Sequence, residues 1–161
     1  MNALSSWLPA ASEDAMTDSL RQHFSSLMLP PAAQEWLLML WQAIQTFDDY
    51  ADGDSVDRAR LDATIWNTLV AMPQNPFFSA HSSALLPALS TAILKWQASD
   101  TVERAKQPSP KSFLWRAGYY DIVLLVVQLV HGPAAAMSVA HKVLDVYDES
   151  LDEYMKEFGN A

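Results

Sequence analysis

Asp48, Asp49 and Asp52 are the residues of this chain whose type and spacing best suit chemistry. Separations of three and four residues bring their carboxylates to one side of a helical turn. Hard divalent cations prefer such oxygen ligands. The three follow an apolar run, Trp36 to Phe47, that reads as a helix. Carboxylates at a helix C-terminus face the negative end of the macrodipole, which costs roughly 0.3–1 kcal/mol each unless a cation or another helix's N-terminus compensates.

The segment Phe47-Asp48-Asp49-Tyr50-Ala51-Asp52 resembles the aspartate-rich motif of class I terpenoid (isoprenoid) synthases, an all-α family. The resemblance implies magnesium bound by Asp48, Asp49 and Asp52, and a diphosphate held by that metal. On this reading Asp121 is the candidate fourth metal ligand, and Arg58 and Arg60 are the candidate phosphate contacts. The resemblance spans about six residues of 161, and the family's catalytic domains are longer than this chain. The second metal motif, an Asn or Asp followed at four-residue steps by Ser or Thr and then Glu, is absent; Asp145 to Ser150 is acidic but wrongly spaced. A calcium loop counted from Asp48 fails, because its third position is Tyr50 and its twelfth is Ala59, where a bidentate glutamate is needed.

Other constellations point to structure. Asp121, Gln128 and His131 fall near one stripe of an apolar segment, where buried polar groups need partners. Arg116, Arg58 and Arg60 are the candidate partners for Asp121, and Asp121 could also face the aspartate cluster across a bundle. His23, His81, His131 and His141 are dispersed without metal-ligand spacing. Neither a Gly-x-Ser-x-Gly elbow nor a glycine-rich phosphate loop occurs.

Glycines and prolines divide the chain into helical segments. A loosely ordered N-terminal stretch, 1–11, leads to a helix over Ser12 to Met28 with Leu20, Phe24, Leu27 and Met28 on one face. Pro31 suits the first turn of a second helix that runs to Ala51, with Gly53 as its stop. Asp54 or Ser55 can cap a third, Val56 to Met72, whose Leu61, Ile65, Leu69 and Met72 recur at helical spacing. A fourth is expected from Ser79, Ser82 or Ser83 to about Ala98, a fifth over 111–131, and a sixth from Pro133 to Phe158. The fifth is apolar nearly all round, so it is expected at the centre. The predicted architecture is an all-α, single-domain bundle of five to seven helices spanning 1–161.

Composition narrows the function. Half of the residues are hydrophobic and 18% are charged, with six Trp, six Phe and five Tyr, so a packed globule is expected. A net charge of −9 opposes nucleic-acid phosphates. The absence of cysteine removes disulfides and thiolate sites. The N-terminus carries no signal-peptide pattern, and the longest apolar run, Ile122 to Val130, is too short for a membrane span. A cytoplasmic location follows as the expectation. The function expected is a non-catalytic, acidic helical binding or accessory protein acting through protein contacts, with a protein partner or a homo-oligomer. The alternative is a magnesium-dependent diphosphate-binding protein or enzyme using the aspartate cluster.

Overall fold

The computed structural model describes residues 11–147 and 149–159, with side chains over 15–147 and 149–158. Its contacts group the chain into two compact units, Met1–His81 and Ser82–Ala161. Among the described residues there are eight α-helices and no strand. The loose stretch expected over 1–11 lies outside the described residues except for Ala11, which opens the first helix.

In the first unit, α1 (Ala11–Ser26) buries Leu20 and Phe24, and Leu27 just past its end is buried with them, as the periodicity predicts. Met28 instead stands 75% exposed in the left-handed region at φ 53. It holds the place usually taken by glycine just past a helix end, where the Leu29 amide bonds the Phe24 carbonyl and the Met28 amide the Ser25 carbonyl. Next, α2 (Pro31–Asp52) places Trp36 and Leu37 wholly inside and ends at Gly53, φ 80. There the Asp54 amide reaches the Asp49 carbonyl and the Gly53 amide the Tyr50 carbonyl.

The third helix begins later than expected, because Asp57 rather than Asp54 or Ser55 caps it, its carboxylate accepting from the Arg60 amide at 2.8 Å. Here α3 is Arg58–Trp66, and it continues without a break through a π-helical turn, Asn67–Ala71, to Met72–Gln74. In that turn the Met72 amide bonds the Asn67 carbonyl. The turn lies just ahead of Pro73, whose ring would otherwise meet the carbonyl four residues back. The face that α3 buries is not the predicted one. Leu61, Ile65 and Leu69 are 38, 47 and 73% exposed, and only Met72 of that set is buried.

The fourth helix, α4 (Pro76–Arg104), starts in the first unit and is longer at both ends than expected. Asn75 sets its start. The Asn75 carbonyl Oδ1 accepts from the Phe77 and Phe78 amides, and its Nδ2 donates to the Ala32 carbonyl of α2 at 2.9 Å. Phe78 then stacks on Trp36, ring centres 5.5 Å apart. By length and composition α4 is also apolar enough to cross a bilayer, a property hidden from a search for unbroken apolar runs by its scattered Ser, Thr and His.

In the second unit the expected helices 111–131 and 133–158 are each divided, which raises the count above five to seven. The first becomes α5 (Pro110–Trp115) and α6 (Gly118–His131). Gly118 is where α6 closes on α4, since a Cβ there would lie 2.9 Å from that of Ala92. The chain turns at Arg116, whose guanidinium sits 5.3 Å from the ring centres of Tyr154 and Phe158 and 3.8 Å from both Glu103 and Glu149. Downstream, α7 (Pro133–Val139) passes into a 3-10 segment, Ala140–Val146, and α8 (Leu151–Gly159) follows. Of the apolar and aromatic residues that recur at helical spacing along 133–158, Met137 and Leu144 are largely exposed whereas Tyr154 is fully buried.

Tyr154 joins the pieces of this unit. Its hydroxyl lies 2.5 Å from that of Ser112 on α5 and donates to Glu103 of α4 at 2.9 Å. Ser112 and Ser109 form a reciprocal cap at the start of α5, and Ser150 with Glu153 does the same for α8. Burial raises the Tyr119 and Tyr147 hydroxyls well above the usual tyrosine range, and pushes Tyr154 up to about 12.

Two predictions follow from this packing. Asn75→Ala removes a helix cap and a buried bond to α2, and should lower unfolding free energy by about 2–4 kcal/mol in urea titrations. Tyrosines raised above the unfolded value of about 10 stabilise the fold fully below that pH and lose that contribution as pH rises toward 12. Stability should therefore fall between about pH 10 and 12, and Tyr154→Phe should flatten that fall in urea titrations across the range.

Candidate functional site

Of the residues singled out by their chemistry, the structure brings together two. The Asp49 carboxylate, 4% exposed, meets the Arg60 guanidinium at 2.5 Å, and Arg60 is 23% exposed. Asp49 lies in the last turn of α2 and Arg60 in the first turn of α3, so the guanidinium supplies the cation that carboxylates at a helix C-terminus require. Asp48 is buried too, while Asp52, at the end of α2, is half-buried.

The remaining candidates lie elsewhere. Arg58 is 85% exposed and bonds Asp62 one turn along α3 at 2.9 Å. Asp121 belongs to α6 of the second unit, where it is 59% exposed and paired with Lys95 of α4 rather than with an arginine. Gln128, on the same stripe, is exposed as well. Asp121 and Gln128 on that stripe face water, while His131 is half-buried. Among the described residues, no three or more His, Asp or Glu side chains are placed together to hold a metal ion.

Beside the Asp49–Arg60 pair, α2 and α3 leave a cleft of about 220 Å³. Trp41, Gln45 and Thr46 line it from α2, and Arg60, Thr64 and Asn67 from α3. Its floor is a buried pair of hydroxyls. Thr64 Oγ1 lies 3.0 Å from Thr46 Oγ1, and each hydroxyl also reaches the carbonyl four residues back, Arg60 for Thr64 and Gln42 for Thr46. Arg60, Thr64 and Asn67 recur at four and three residues, and Asn67 opens the π-turn. Such turns are frequent at functional sites. The volume is below the roughly 300–1,000 Å³ of sites that enclose drug-sized ligands.

The inward stripe of α3 is thus polar, and its outward side carries an apolar set beside the exposed Arg58–Asp62 pair. Leu61, Ile65 and Leu69 are joined there by Trp66, 63% exposed, while Phe47 and Tyr50 of α2 are 52 and 78% exposed. Thr46 carries no signal of its own in the sequence, whereas Thr64 and Asn67 belong with Arg60 to a second set at helical spacing on α3, competing with the apolar one.

Removing one member of the Asp49–Arg60 pair leaves a charge in a place built for two. Arg60→Met should destabilise by about 2–4 kcal/mol, at the lower end because the guanidinium is partly solvated. Adding Asp49→Asn to that variant should recover part of the loss, a coupling read directly from a double-mutant cycle in urea. Comparison with protein-family models, curated proteins and solved structures finds no match to this chain.

Proposed function

We propose that the chain is a non-catalytic helical binding protein that acts through contacts with protein, using the outward face of α3. One observation carries this reading: Leu61, Ile65, Trp66 and Leu69 face solvent on a helix whose inward stripe is Arg60, Thr64 and Asn67, with Thr64 buried. An amphipathic helix packed for its own stability alone would turn the apolar stripe inward. Contiguous exposed apolar side chains mark contact surfaces, and tryptophan is among the residues that contribute most to binding. The polar seam beneath holds α3 in place without drawing on those side chains.

The competing reading keeps Asp48, Asp49 and Asp52 as magnesium ligands with Arg60 on a diphosphate. It would require Asp49 to leave Arg60 or to share it with the metal. The absence of three converging ligand side chains among the described residues gives this reading no support.

Two measurements on the purified protein separate these readings. Trp66→Ala with Leu69→Ala should cost no more than about 1 kcal/mol, as for surface positions, whereas core side chains of that size cost about 2–5 each. A loss in the core range would show that the face is structural and remove the proposal. Magnesium with pyrophosphate at millimolar levels should leave the melting temperature unchanged; a rise abolished by Asp49→Asn would favour the metal reading.

A further inference from the structure

The cleft beside the Asp49–Arg60 pair has a lining that the protein-contact reading does not use. Thr17 of α1 joins α2 and α3 at its rim, so three helices of the first unit contribute. Of the nine lining residues only Trp41 and Ala63 are apolar. Ligand sites are ordinarily lined by apolar and aromatic side chains with a few polar groups among them. Here the proportion is inverted, which suits a ligand that is polar on every side.

The hydrogen-bonding capacity of the lining narrows the ligand further. A hydroxyl has one proton to give. Thr46 gives its proton to the Gln42 carbonyl at 3.0 Å, and Thr64 gives its own either to Thr46 at 3.0 Å or to the Arg60 carbonyl at 2.9 Å. Both protons are engaged inside the protein, so the floor offers a ligand only lone pairs. The oxygens of a carboxylate or a phosphate would be repelled there. Arg60 does not reverse this, since its guanidinium already faces the Asp49 carboxylate at 2.5 Å. A cation would find no carboxylate in the lining and the Arg60 charge beside it. What fits is an uncharged molecule rich in O–H or N–H donors.

Above the floor stand the carboxamides of Gln42, Gln45 and Asn67, which have no side-chain hydrogen bond among the described residues. Each holds donors and an acceptor side by side, the complement of two neighbouring hydroxyls of which one gives and one receives. Trp41 is 8% exposed, too little for a flat heteroaromatic ring to stack on. The volume of about 220 Å³ exceeds the roughly 150 Å³ that holds benzene, so one six-membered ring with its substituents fits.

We propose that this cleft binds a single sugar ring, an uncharged polyhydroxylated molecule whose adjacent hydroxyls pair with the carboxamides of Gln42, Gln45 and Asn67 and donate to the Thr46–Thr64 floor. The proposal goes beyond the protein-contact reading and stands without it, because it uses the inward stripe of α3 and leaves the outward one exposed.

Titration of the full, nitrogen-15-labelled chain with D-glucose, D-galactose, D-mannose and N-acetyl-D-glucosamine, each to about 50 mM, tests this by the side-chain amide signals of Gln42, Gln45 and Asn67. At least one sugar should shift these signals together and saturably, with a Kd of about 1 mM for a ligand of roughly a dozen heavy atoms. Gln42→Ala and Asn67→Ala should each weaken that binding about five-fold or more, as for loss of a neutral hydrogen bond. Gln42 is exposed, so its variant should melt at an unchanged temperature and keep the test independent of folding. Methyl glycosides bound as well as the free sugar would identify the terminal unit of a glycan, and their rejection a free monosaccharide; either supports the site. No saturable shift with any of the four sugars would overturn the proposal. So would a shift that both variants leave unchanged, or tighter saturation of the same signals by inorganic phosphate or by adenosine. None of these outcomes bears on the Trp66 and Leu69 face, whose failure is read separately.

Discussion

The packing of α3 on α2 through polar side chains is the constraint on which the first unit depends. Asp49 and Thr46 are buried on α2 at positions where a core would ordinarily hold apolar groups. Each is acceptable only because α3 presents a matching partner, Arg60 for the carboxylate and Thr64 for the hydroxyl. Burial of an unmatched carboxylate would cost several kcal/mol, which fixes the rotation of α3 about its axis. Once that rotation is fixed, Leu61, Ile65 and Leu69 have no choice but to face out. The exposed apolar stripe is therefore a consequence of the seam beneath it.

The second unit uses a related device at a different place. Tyr154 carries a hydroxyl into the interior of α8's docking site, where Ser112 and Glu103 receive it, and Arg116 lies between two carboxylates and two aromatic rings. These groups come from three helices, α4, α5 and α8, and from the connections that carry Arg116 and Glu149. They gather where the chain turns at Arg116 instead of running straight from 111 to 131. The apolar side of α6, Tyr119, Ile122, Val123, Val126 and Val127, supplies the burial that such a polar cluster does not.

Much of this was legible from the residues, in an uneven way. The all-α class followed from spacing, and Leu20, Phe24 and Leu27 were placed correctly because α1 has only one apolar face. The orientation of α3 was not legible: periodicity shows which residues share a face but not where that face points, and Arg60, Thr64 and Asn67 repeat with the same period as Leu61, Ile65 and Leu69. The start of α4 at Asn75-Pro76 and the cap of α8 by Ser150 with Glu153 were written in local signatures that outweigh the nearby serines. The division of 111–131 had one local signal, Gly118, and the partners of Arg116 at the turn, Glu103 and Glu149, are distant in sequence. At the candidate site the need for a cation beside the aspartates was readable, whereas its identity as Arg60, eleven residues on from Asp49, was not.

The rotation of α3 is the claim that the proposed contact surface rests on, and a cysteine-free chain permits a direct reading of it. Single variants Thr64→Cys and Ile65→Cys, adjacent in sequence, can be compared for the rate at which the folded protein reacts with a thiol reagent. Thr64, 5% exposed, should give a cysteine that is strongly protected, and Ile65, 47% exposed, one that reacts at a rate near that of the unfolded chain. A protected Cys at 65 and a reactive one at 64 would show that the apolar stripe faces the core, and would contradict the account.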